Sequence, residues 1–127
     1  MDEMDDRLAR LKAAFAEYTA AEIALYDKWY ANIINVRTTD NIRRNRSRVK
    51  YLKAAEELYG LVITNGMEKS ELPAAMDNLT QRLDADNQAN DAKLMEEQDA
   101  LMAAYEEGVN SNLATIDGFL AKMLAEI

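Results

Sequence analysis

RTTDNIRRNRSRVKYLK, residues 37–53, is the stretch that decides how this chain is read. It holds seven of the fifteen Lys and Arg residues and a single acid, Asp40. Its local balance is +6 in a protein whose total is −8. Residues 1–36 carry −3 and residues 54–127 carry −11, so a basic belt lies between two acidic arms. The first four residues, Arg37-Thr38-Thr39-Asp40, predict a corner, because Thr39 or Asp40 can accept the orphan N–H groups at the start of a new helix.

Upstream of that corner, residues 4–36 predict one long helix. Met4, Leu8, Leu11, Phe15, Tyr18, Leu25, Trp29, Ile33 and Val36 step by three and four, which keeps one apolar face toward a partner. Asp2, Glu3, Asp5 and Asp6 stand at its positive dipole end. Downstream, a second helix is expected to about Thr64, with Ile42, Val49, Leu52, Tyr59 and Ile63 facing inward. Tyr51, Leu58 and Val62 form a smaller apolar strip on its outer side. Asn65-Gly66 predicts a stop, with Gly66 in the left-handed position.

Ser70-Glu71-Leu72-Pro73 opens a third helix, with Ser70 as N-cap and Pro73 in the first turn. Its face is marked by Met76, Leu79, Leu83, Leu94, Leu101 and Tyr105. Gly108 to Asn112 predicts a break, followed by a last helix from Leu113 to Ile127. The expected architecture is therefore all-α: an elongated antiparallel bundle of three long helices plus a shorter C-terminal helix, within a single domain over residues 1–127. Because the stripe stays in phase across Gly108, a continuous long third helix is the alternative.

Composition narrows the functional classes. One Pro and four Gly in 127 residues favour helix. There is no Cys, which excludes disulfides and thiolate metal sites, and no His, which removes the commonest general base and metal ligand. No apolar run approaches the roughly 20 residues that span a bilayer. An acidic N-terminus argues against a leader peptide. No Gly-rich phosphate loop is present, and none of Ser47, Ser70 and Ser111 has a His to activate it. The chain reads as non-enzymatic, without cofactor or membrane association, soluble and cytoplasmic or virion-associated.

Two polar layers follow from projecting the helices and folding at the corner. Glu22 and Glu56 fall on the apolar stripes and form a carboxylate layer. Asn32, Asn45 and Asn90 form an amide layer, whose usual role is to set register. Oxygen-only metal binding by the acids is one reading. Pairing at the stripe edge with Arg82, Lys53 or water is the favoured one, so no metal is assigned.

The belt projects Arg43, Arg46, Lys50 and Lys53 as one stripe, beside which an antiparallel third helix offers Asp84, Asp86 and Asp91. Arg44, Arg48, Tyr51 and Leu58 have no expected internal partner, which makes that flank the first place to seek a contact. Ile23, Tyr26, Tyr30 and Ile34 form a possible second contact surface. These features predict a structural, scaffolding or adaptor protein that self-associates or docks on a larger protein assembly. A nucleic-acid-associated protein using the belt is the alternative. It is disfavoured by the absence of interleaved aromatics for base stacking and by the flanking acids.

Overall fold

The structure, a computed structural model, describes residues 2–127. Two helices make up nearly all of it: α1 (Glu3–Ile63) and α2 (Leu72–Ala125). A short connection carrying one 3₁₀ turn, Lys69–Glu71, joins them. The expected bundle of three long helices plus a short one is thus incorrect. Two expected boundaries do not exist.

Arg37-Thr38-Thr39-Asp40 is not a corner. No Gly or Pro occurs before Gly60, and two Thr weaken a helix only slightly. Asp40, placed to cap a new helix, instead accepts a hydrogen bond from Arg44 Nε one turn on, at 2.7 Å. Its Oδ2 is held by that side chain, and no new helix starts there for it to cap. Gly108 is not a break either. A Cβ built there would lie 2.6 and 2.8 Å from the two methyls of Leu25. Glycine at 108 is a notch that receives Leu25, and α2 continues through it to Ala125.

The real ends are well signalled. Asp2 Oδ1 accepts the Asp5 N–H at 2.8 Å and caps α1. At the other end the left-handed residue is Asn65, with φ of 62°, one position before the expected Gly66. Asn65 N–H bonds Val62 O at 3.3 Å and Gly66 N–H bonds Leu61 O at 2.7 Å. This is the paired terminal bonding of a Schellman motif. A Cβ at 66 would meet Leu61 Cδ2 at 3.0 Å, a tight contact that glycine avoids. Glu68 precedes the 3₁₀ turn in extended conformation with no side-chain cap, so the expected capping by Ser70 is replaced by that turn. Pro73 does lie in the first turn of α2.

The residues withdrawn from solvent recur every eleven positions. On α1 the set Arg7, Tyr18, Trp29, Asp40, Tyr51 and Val62 is half-buried or buried. On α2 so is Leu72, Leu83, Leu94, Tyr105 and Ile116. Eleven residues in three turns is about 3.67 per turn, close to the 3.6 of an unstrained helix. A seam of this period therefore runs far along a helix without a corner.

The chain divides into two compact units. The first, Met1–Ile34 with Gln98–Ile127, contains both buried apolar residues, Ile116 and Met123. Trp29 and Tyr105 pack with ring centroids 5.6 Å apart. Arg10 Nη2 meets Glu126 Oε2 at 2.7 Å, and Arg7 Nη2 donates to the free carbonyl of Glu126 at 3.0 Å, closing the C-terminal end of α2. The second unit, Asn35–Glu97, contains no buried apolar residue among those described; its one buried residue is Asp40.

Candidate protein-binding faces

The second unit exchanges the two faces expected of residues 41–63. Tyr51, Leu58 and Val62 are half-buried on the seam toward α2. Ile42, Val49, Leu52, Tyr59 and Ile63, the expected inward stripe, are exposed, from 40 % for Val49 to 80 % for Ile63. The helix has two apolar faces. The hairpin covers the weaker one and leaves the stronger open.

Within this unit the belt is split in two. Arg44 Nη2 bonds Asp91 while its Nε holds Asp40, and these two carboxylates raise its affinity for its proton. Arg43 Nη1 reaches Glu97 at 3.3 Å. Asp91 is thus the one acid of the three expected that is engaged, and its partner is Arg44, a residue expected to have none. Among the described residues, Arg46, Arg48, Lys50 and Lys53 make no ion pair and are exposed. Asp40 Oδ1, Arg43 Nε and Nη2, and Asn90 Nδ2 are buried without a hydrogen-bond partner.

The two expected polar layers do not form. Glu22 belongs to the first unit, where Asn112 Nδ2 donates to it at 3.4 Å. Beside it, desolvation and then the Glu22 charge raise the Tyr18 hydroxyl pKa. Glu56 is exposed in the second unit. Asn32 lines a groove of the first unit with Leu25, Trp29, Leu101 and Tyr105. Asn45 is exposed and Asn90 half-buried in the second unit. Among the described residues, no three acids gather as a metal site.

In the first unit Ile23, Tyr26, Tyr30 and Ile34 are exposed by 58, 50, 51 and 46 %. Tyr26 and Tyr30 stack, with centroids 6.2 Å apart and planes 13° from parallel. Met4, Leu8 and Phe15, expected on the seam, are also exposed. In the same unit a groove of about 270 Å³ is lined by Ala14, Glu17, Tyr18, Asn112, Thr115, Ile116 and Phe119. Its lining is mostly apolar, with Glu17, Tyr18, Asn112 and Thr115 as the polar side chains. No family model matches this chain, and no curated protein or solved structure is similar to it. Among the described residues, no helix is long and apolar enough to cross a membrane.

Proposed function

We propose that this protein acts without catalysis, as a structural or scaffolding component that self-associates through exposed helix faces. One observation carries the reading. The accessible surface is 9533 Å², whereas a folded monomer of 14.3 kDa is expected to expose about 6,800 Å². The excess is about 2,700 Å² per chain, or about 5,400 Å² for a pair of chains, at the upper end of what obligate assemblies bury. The open apolar residues supply it, and Ile23, Tyr26, Tyr30 and Ile34 suit contact between like chains. The stretch that carries them, residues 22–34, holds only Glu22, Asp27 and Lys28 as charges, which leaves little repulsion between two copies of it. Cytoplasmic or virion association remains part of this reading, on the base rate of small cofactor-free helical proteins.

Static light scattering at low and high salt tests it. A mass that is a multiple of 14.3 kDa and persists at high salt supports apolar self-association. A monomer unaffected by concentration and salt removes it.

A further inference from the structure

We propose that the outer face of α1 from Ile42 to Ile63 is one strand of a coiled coil whose other strand is an acidic helix of a different protein. The inference rests on the reading that the exposed helix faces are interfaces. Ile42, Asn45, Val49, Leu52, Glu56, Tyr59 and Ile63 follow at alternating spacings of three and four, and all are exposed. That is a strict seven-residue repeat with Ile42, Val49, Glu56 and Ile63 in one core position and Asn45, Leu52 and Tyr59 in the other. It differs from the eleven-residue seam on the opposite side. The same helix carries one pattern for α2 and a second for a partner.

Charge selects the partner. The charged positions flanking this repeat are Arg46 and Lys53 on one side and Arg48 on the other, and none is paired within the described residues. A second copy docking by the same face meets like charge in either direction. Parallel strands bring Arg48 against Lys53, and antiparallel strands bring Arg46 against Lys53. Two acids of the unit, Asp91 and Glu97, are engaged by Arg44 and Arg43, and Glu57, which lines a groove with Arg46, Lys50 and Lys53, makes no ion pair with them among the described residues. A helix with Glu or Asp at its flanking positions satisfies the cations and covers the apolar residues together. A phosphate backbone pairs with the cations but leaves Ile42, Val49 and Leu52 in water. Glu56 and Asn45 sharpen the match, because a carboxylate in the core of a coiled coil calls for Lys or Arg opposite and a core Asn for Asn.

The probe is a synthetic peptide of about three heptads with Ile and Leu in its core, Lys facing Glu56, Asn facing Asn45 and Glu at every flanking position. Its control carries Lys at the flanks. Binding to the intact protein is read by fluorescence anisotropy. The Glu-flanked peptide is expected to bind at about 50 mM salt and to weaken by about tenfold or more at about 300 mM. The Lys-flanked peptide is expected to bind at least about tenfold more weakly. Leu52→Asp abolishes binding. Arg46→Glu with Lys53→Glu inverts the preference, which a merely unfolded variant cannot do. Equal binding of the two peptides, binding of neither, or tighter binding of a labelled DNA duplex overturns the proposal. So does a fall in molecular mass caused by Leu52→Asp, which assigns the face to a second copy. A protein that is monomeric by light scattering yet binds the Glu-flanked peptide overturns self-association alone.

Discussion

The two units solve the same problem with different means. Both pair a stretch of α1 with a stretch of α2, yet the first closes on apolar side chains and the second on charges. Ile116, Met123, the Trp29–Tyr105 pair and Leu25 seated on Gly108 hold the first unit. Asp40, Arg43, Arg44, Asp91 and Glu97 occupy the corresponding role in the second, beside half-buried Tyr51 and Leu58. Apolar contacts stabilise in proportion to area. A buried ion pair roughly balances its own desolvation and is better suited to fixing register than to adding stability. The first unit is therefore the stable one, and the second is specified by its charges but short of buried apolar area.

The largest expected effect breaks the first unit. Ile116→Ala removes one of its two buried apolar side chains and lowers stability by about 2–4 kcal/mol in denaturant unfolding. Gly108→Val forces a branched side chain into the space of the Leu25 methyls and lowers stability by about 2 kcal/mol. In the second unit Asp40→Ala strips Arg44 of one of its two carboxylates and costs about 1–3 kcal/mol. Replacing both Asp40 and Arg44 by Leu costs less than replacing Arg44 alone, because no buried charge is left without a partner. That comparison sharpens the contrast between the units most cleanly.

Smaller effects sit at the open glycines and the helix ends. Nothing lies within 4 Å of a Cβ added at Gly60 or Gly118. Ala at either position is expected to stabilise by up to about 1 kcal/mol through helix propensity, the opposite sign from Gly108. The Glu126 carboxyl is held below its usual pKa by its hydrogen bond from Arg10 and by the charge of that guanidinium. A lowered folded pKa gives a contribution present above the unfolded value and lost as pH falls through the folded one. Acid unfolding monitored by circular dichroism should thus show a small loss near the bottom of the carboxylate range that Arg10→Gln removes.

The helical class, the acidic first turn of α1 and the turn at residues 64–68 were legible in the sequence. The fold around Arg37–Asp40 was not, for a physical reason. Counting apolar residues in steps of three and four tracks a seven-residue repeat. That repeat runs from Leu8 to Val36 and resumes out of phase at Ile42, so the phase change resembles a corner. The real seam passes through 37–53 on Asp40, Arg43, Arg44 and Ser47, side chains that an apolar count leaves out. The same omission inverted the faces of residues 41–63 and placed Glu22 and Glu56 in one layer. The exposed aromatic face at Ile23, Tyr26, Tyr30 and Ile34 was legible, because it lies off both repeats. The pairing of Arg44 with Asp91 across the hairpin could be found only once the corner was removed.

Residue-resolved amide hydrogen exchange on the intact protein tests the contrast between the units most directly. The account predicts the slowest exchange along Gly108–Met123 and around Leu25–Trp29, with faster exchange along Ile42–Ile63 that slows when the Glu-flanked peptide is added. Uniform protection in both units, or the slowest exchange around Asp40–Ser47 in the absence of any partner, would contradict it.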